Sequence, residues 1–251
     1  MRQVRYLSIV VIMGLLSSTL VERGYATPST HIWAPSTDVQ PYKKVHLTSD
    51  FYVPTEQNGD GSRANTITNL GLTLGVLPWK SVNAELGFDV KSGGGGLDDW
   101  PVYFNAKIGT PEDLLGPWFP ALAVGIYDVG TKHNRTTNNV IYGKAAKTIK
   151  VKDLSLGRVS VGYFTGDPNL LINGTKRDND GLLFAWERVM TELSDKLWVA
   201  VDYQGSRSAY GALNLGFSWK FSENVSTIFA YDLYNDRDLA GTYTVQVDID
   251  F

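Results

Sequence analysis

The stretch Val82-Asn-Ala-Glu-Leu-Gly-Phe-Asp-Val90 decides how the chain folds. Val82, Ala84, Leu86, Phe88 and Val90 alternate without a fault with Asn83, Glu85, Gly87 and Asp89. Successive side chains of a strand point to opposite faces, so this period of two predicts a strand that is greasy on one side and wet on the other. The pattern repeats outward from there. Leu70, Leu72, Leu74 and Val76 oppose Gly71, Thr73 and Gly75, and Leu213, Leu215, Phe217 and Trp219 oppose Asn214, Gly216, Ser218 and Lys220. Leu197, Val199, Val201 and Tyr203 oppose Trp198, Ala200, Asp202 and Gln204 in the same way.

Such alternation predicts twelve strands, over residues 45–53, 66–76, 81–90, 101–109, 121–129, 139–147, 157–165, 181–189, 196–204, 209–220, 225–234 and 241–251. The two faces of 139–147 do not separate cleanly, which leaves ten strands as the alternative. Long, polar connections at 55–65, 91–100, 130–138 and 166–180 alternate with short ones at 77–80, 151–155, 190–196 and 221–224; 110–120 is long where a short turn is due, and the later loops at 205–208 and 235–240 are shorter than the early long ones. Short turns on one side and long loops on the other are the habit of membrane barrels.

Composition agrees with a barrel. The chain has 251 residues, no cysteine, a net charge of -3 and 43% hydrophobic residues, with 25 Gly, 13 Tyr, 10 Phe and 7 Trp. Without cysteine, disulfide scaffolds and thiolate metal sites are excluded. A mean hydropathy of -0.14 describes a chain that averages to neutral although it is rich in aromatics, as lipid-facing and lumen-facing residues do when they alternate. After the N-terminus no window reaches 18 uninterrupted apolar residues, which excludes a helical membrane protein. Trp79, Trp100, Trp118, Trp186, Trp219, Tyr231 and Tyr243 fall near predicted strand ends, where aromatic girdles meet the lipid interface. The expected fold is therefore all-β, a transmembrane antiparallel up-and-down β-barrel over 45–251, in preference to a soluble sandwich.

Ahead of the barrel, Arg2 and Arg5 precede an apolar stretch over 6–20 and the small-residue site Gly24-Tyr25-Ala26, so 1–26 reads as a signal peptide. Pro28, Pro35 and Pro41 disfavour a helix or central strand over 27–44. That segment is expected to be extended, either outside the barrel mouth on the periplasmic side or inside as a plug.

The last nine residues, Tyr243-Thr-Val-Gln-Val-Asp-Ile-Asp-Phe251, end in Phe after hydrophobic residues at every second position. This segment resembles the C-terminal assembly signature of bacterial outer-membrane β-barrel proteins. The resemblance implies that it is the closing strand, read by the barrel-assembly machinery through Tyr243 and Phe251. It also implies the outer membrane of a Gram-negative bacterium, with lipid and lipopolysaccharide around the barrel. Thr30-His-Ile-Trp-Ala-Pro-Ser-Thr-Asp-Val-Gln-Pro-Tyr42 is similar to the opening of uncharacterised outer-membrane barrels, a likeness that bears on location and not on substrate.

Little in the sequence favours catalysis. Of the three histidines, His46 stands two residues before Thr48, a spacing similar to the His-x-Ser of barrel phospholipases but with Thr in place of Ser. His31 lies in the proline-bearing segment and His133 in a polar loop. The run Gly93 to Gly96 lacks the Gly-Lys-Ser/Thr of a phosphate loop, and Asn58 to Gly61 and Asp178 to Gly181 lack the spacing of a calcium loop. No enzyme, cofactor, metal or nucleic-acid partner is expected.

Informative instead is the wet face. It puts Asp50, Glu85, Asp89, Glu187, Asp202, Asp232, Asp248 and Asp250 inside with Lys44, Lys107, Lys144, Arg158 and Lys220, a mild acidic excess. The expectation is a monomeric porin-like channel for passive diffusion of small hydrophilic solutes or ions, with a mild cation preference. A closed structural or adhesion barrel that binds a partner through its external loops is the alternative, and a barrel lipid hydrolase a distant third.

Overall fold

The computed structural model describes residues 29–57, 60–94, 96–152 and 154–251; the leader expected over 1–26 lies outside them. Strands β1 (Val45–Pro54), β2 (Ile67–Gly75), β3 (Asn83–Ser92), β4 (Val102–Thr110), β5 (Ala121–Gly130), β6 (Thr137–Val151) and β7 (Leu154–Thr165) run up and down in chain order. A small hairpin, β8 (Ile172–Asn173) with β9 (Lys176–Arg177), sits in the next connection. The wall then continues through β10 (Asp180–Val189), β11 (Leu197–Gln204), β12 (Ala212–Lys220), β13 (Val225–Tyr234) and β14 (Thr242–Asp250).

Among the described residues, twelve strands close into one antiparallel barrel, because β14 pairs back onto β1 with His46 opposite Asp250 and Pro54 opposite Thr242. Phe251 completes the seam: its amide donates to the Val45 carbonyl at 2.9 Å, and its own carbonyl accepts from the Val45 amide at 3.3 Å. Closure leaves no edge strand, so every strand finds its backbone partners within the wall, the condition a sheet must meet in hydrocarbon.

The period of two is obeyed around the wall. Leu86, Phe88 and Val90 of β3 are exposed on the outside while Glu85 is buried within, and Val161, Leu182, Leu215 and Phe217 extend the same outer belt. An apolar face this continuous is a membrane-contact surface. Aromatic rings border it. Trp79, Trp118 and Phe221 are exposed at the rim that carries Val45 and Asp250, called the near rim below, and Tyr231 stacks on Tyr243 at 5.2 Å toward the far rim.

The ambiguous stretch over 139–147 is the centre of the longest strand, β6. Its faces blur because Val140 and Tyr142 point inward into an apolar cluster with Phe164, Leu171 and Leu183, while Gly143 and Ala145 face out. One smaller expectation is corrected. Lys44 is exposed at the near rim instead of lining the interior, because the strand begins one residue later. A single helical turn, Gly96–Asp99, follows the glycine run, where Asp98 accepts a hydrogen bond from the Gly93 amide at 3.1 Å.

The long near-rim turn over 111–120 is held down by Glu112, whose carboxylate accepts from the Thr148 amide and hydroxyl at 2.8 Å each and from Lys147 at 3.0 Å. Burial pushes the Glu112 carboxyl up, but the Thr148 amide, Lys147 and the Thr148 hydroxyl outweigh it and hold it below the usual carboxylate range. A depressed carboxyl contributes its stabilisation above the unfolded value, and loses it as pH falls through the folded one. Amide exchange across 111–119 is therefore expected to stay slow at pH 5 and to rise only below about pH 4, under the ordinary glutamate value. The outer belt makes a second expectation. Leu86→Arg should cost about 2–4 kcal/mol in a urea titration of protein folded into vesicles, the penalty of a cation near the bilayer midplane.

Candidate functional site

The interior is not an open bore. Residues 29–36 form a tight hairpin inside the barrel, with Thr30 bridged to Pro35, the His31 amide on the Ala34 carbonyl at 2.9 Å and the Ser36 amide on the Ser29 carbonyl at 3.1 Å. The chain then runs back toward the near rim and leaves past β2, where Tyr42 bridges Gly75. Gly75 permits that crossing, since a Cβ there would lie 2.0 Å from the Pro41 carbonyl oxygen.

Asp202 of β11 anchors the hairpin tip. Its carboxylate is fully buried and accepts from three successive backbone amides, Ile32 at 2.7 Å, Trp33 at 3.0 Å and Ala34 at 3.3 Å, and from the Asn214 side chain at 2.6 Å. Consecutive amides turned toward one point make an anion nest, and here the protein supplies its own anion. Strands β4, β6 and β14 grip the hairpin segment by its carbonyls. Lys144 donates to Pro35 at 2.8 Å, Gln246 to Ile32 at 2.7 Å, and Lys107 to Ser29 at 3.2 Å and to Asp38. Arg158 holds the Asp38 carboxylate at 2.7 Å, and Glu85 accepts from the Gln40 amide at 2.6 Å while pairing with Lys107 at 3.1 Å. Glu187 accepts from Trp198 at 3.0 Å beneath the tip.

Apolar packing finishes this half of the interior. Ile32 joins Trp198, Ala200, Ile228 and Ala230, and Ala34 joins Val140, Tyr142, Phe164, Leu171 and Leu183. Leu171 comes from the far-rim connection between β7 and β10, which thus folds inward.

On the other side a cavity of about 590 Å³ remains between the hairpin and the wall. It reaches from far-rim residues such as Ala64 and Leu239 to His46, the first inward-facing residue of β1. Asp50, Asp89 and Asp248 line it, with neutral donors between them. The Asn69 side-chain amide donates to Asp50 at 2.9 Å and to Asp89 at 3.0 Å, Asn105 donates to Asp89 at 2.8 Å, and Thr48 donates to Asp50 at 2.5 Å. Gly71 makes room here, because a Cβ would sit 2.5 Å from an Asp89 oxygen. His46 has both ring nitrogens taken up by carboxylates, Nδ1 by Asp250 at 3.0 Å and Nε2 by Asp248 at 3.2 Å. Neither nitrogen is left to draw a proton from Thr48, whose hydroxyl is on Asp50.

The expected interior residues thus divide into groups. Glu85, Lys107, Lys144, Arg158, Glu187 and Asp202 surround the hairpin; Asp50, Asp89 and Asp248 face the cavity. Asp232 lies on the wall, accepting from Thr242 at 2.7 Å and from Thr244, and Lys220 is half-buried at the near end of β12. Tyr243 and Phe251 are exposed on the outer surface.

Two cavity residues escaped the alternation. Asp128 follows Leu122, Val124 and Ile126 on what would be the lipid face, but the β5–β6 register shifts between Tyr127 and Val129 and turns it inward. There it pairs with Lys91 at 2.5 Å and accepts from the Tyr210 hydroxyl. Burial and the Asp128 charge push the Tyr210 hydroxyl well above the ordinary tyrosine range, so it keeps its proton and donates. The signal for the bulge was legible, since an acid in a lipid-facing row has to be turned away from hydrocarbon.

Among solved structures, the fold is similar to the KdgM porin in complex with disordered oligogalacturonate, with a TM-score of 0.53 and 8% identity over 83% of this chain and 99% of that one. It is similar also to the KdgM porin alone, with a TM-score of 0.51 and 11% identity over 83% and 99% of the two chains. The shared feature is the closed antiparallel β-barrel, here of twelve strands. Identities this low speak for the barrel architecture, and function has to be argued from the site. No protein-family model matches the chain, and no curated protein matches it.

The nest on Asp202 makes a direct expectation. Asp202→Ala removes four hydrogen bonds to a buried charge, each of a kind worth about 1.5–3 kcal/mol. Amide exchange at Ile32 and Trp33 should accelerate at least tenfold, while exchange in β2 and β3 stays unchanged.

Proposed function

We propose that this protein is an outer-membrane channel through which small hydrophilic solutes or ions diffuse passively, and that it works as a monomer in a Gram-negative envelope. The observation that carries this reading is the cavity beside the hairpin, which extends from the far rim to the first inward residue of β1. Residues 29–44 then act as a partial plug, narrowing the interior to a side passage along β1–β4 and β14. The near rim, which holds both ends of the barrel domain, faces the periplasm, and the far-rim loops face outward. Phe251 at the seam fits recognition of the last strand by the barrel-assembly machinery.

A mild cation preference follows from how the cavity charges pair. Lys91 is matched by Asp128 and Lys107 by Glu85, whereas Asp50 and Asp89 have no ion-pair partner among the described residues. A passage with uncompensated carboxylates in a low-dielectric wall raises the local concentration of cations. The His46–Thr48 spacing forms no hydrolase dyad, because carboxylates occupy both nitrogens of that ring.

A closed structural barrel is the second reading, favoured by the grip of the barrel wall on the hairpin. Planar-bilayer recording separates the two. The channel reading expects discrete conductance steps from the full mature chain, a several-fold larger step when residues 29–41 are deleted, and a reversal potential on the cation side in a KCl gradient. Asp50→Asn with Asp89→Asn should bring that potential toward zero. Silence at every voltage, with current only after the deletion, would make this a closed barrel.

A further inference from the structure

The cavity is built of two unlike parts. Its outer part is bordered by Trp33, Tyr52, Tyr234, Tyr210, Leu97 and Leu239, largely aromatic and apolar, with Lys91 paired to Asp128 and Arg135 lying over the Trp100 ring. Trp33, at the hairpin tip, packs on Tyr52 and Tyr234 with ring centroids 5.5 Å apart in both pairs, which fixes these rings in place. The inner part is lined by the carboxylates of Asp50, Asp89 and Asp248.

Asp50 and Asp89 have no ion-pair partner among the described residues; the Lys91 charge that reaches Asp89 is itself paired with Asp128, and Asp248 is shared with His46. Asp50 and Asp89 are bridged by one Asn69 amide and otherwise meet only Thr48 and Asn105. The Asn69 side-chain oxygen has no hydrogen-bond partner among the described residues. Asp248 is 3% exposed, and although one of its oxygens is 3.2 Å from His46 Nε2, the other has no partner. The Asp50 and Asp89 carboxylates, hydrogen-bonded only by neutral groups, leave a site that a positive charge would complete.

A hydrated metal ion or simple salt cation would gain from the acids but nothing from the aromatic part, and an anion would be repelled by the floor. A neutral apolar solute would leave the carboxylates as they are. One ligand class uses both parts: an organic cation with a hydrocarbon or aryl body. Its ammonium group would sit between Asp50 and Asp89, and its body against the Trp33, Tyr52 and Tyr234 rings. Aromatic faces also attract such a head electrostatically as it passes. A cavity of about 590 Å³ is in the size range of small-molecule sites.

We propose that the cavity selects small amphiphilic organic monocations over inorganic cations, organic anions and neutral analogues. Selection during passage rests on the channel reading above; binding in the cavity does not.

The test uses the full mature chain folded into bilayers, with phenethylammonium as the probe and methylammonium, phenethyl alcohol and phenylacetate as comparisons. Methylammonium has the charge without the body, phenethyl alcohol the body without the charge, and phenylacetate the opposite charge. Phenethylammonium is expected to lower the potassium current at concentrations at least tenfold below those needed for the other three. Asp50→Asn with Asp89→Asn should raise its half-blocking concentration at least tenfold while potassium current persists. Should the double variant fail to fold, as judged by heat-modifiable gel migration, Asp50→Asn alone carries the test, with a shift of at least threefold. Equal potency of the four probes, a preference for phenylacetate, or variants that leave the phenethylammonium block unchanged would overturn the proposal while the channel reading stands. Calorimetry in lipid nanodiscs distinguishes the converse case. Phenethylammonium binding that is lost in the variants, in a protein that passes no current, would uphold the cavity and discard the channel.

Discussion

A carboxylate buried inside a protein is costly unless hydrogen bonds meet it, and Asp202 is met by three amides of one hairpin and one asparagine. That single arrangement explains most of the interior. The amides come from residues 32–34, so the hairpin tip must sit beside β11. Once there, Ile32 and Ala34 become the centres of two apolar clusters that fill the barrel on the side of β6 to β13. The cavity is what the hairpin does not fill, and its wall on β1–β4 is lined with charge in place of packing.

The outer face obeys a different constraint. In hydrocarbon a strand must give every backbone group a partner, and closure of β14 on β1 achieves it. Side chains outside need only be apolar, so the alternation there is simple; inside, each polar group needs a particular partner. That contrast is why the wall and the site were unequally legible in sequence.

The wall was legible to within about three residues at most strand ends, with β6, at Thr137–Val151, the longest departure from its reading. The strand read over 225–234 is β13 without change, and 121–129 differs from β5 by one residue. Where the reading blurred, at Val140 and Tyr142, the cause is a patch of interior that is itself apolar, so two greasy faces meet back to back. Alternation also told which charges point inward, but nothing in a period of two says which of them touch. Glu85 and Lys107 sit opposite each other on β3 and β4 and could be paired by register, whereas Asp202 meets amides 168 to 170 residues away in sequence. Three prolines in 27–44 announced an irregular segment without saying whether it lay inside. The bulge at Asp128 broke the count locally and so hid the partner of Lys91.

At the centre of the account stands an asymmetric interior, packed on the side of β11 and hollow on the side of β2. The chain has no cysteine, so single thiols can report on each side separately. In lipid-embedded protein, Asn69→Cys, on the hollow wall, should react with a small cationic methanethiosulfonate reagent at least a hundredfold faster than Ala200→Cys, which lies under Ile32. Equal rates at the two positions, or faster reaction at 200, would contradict it.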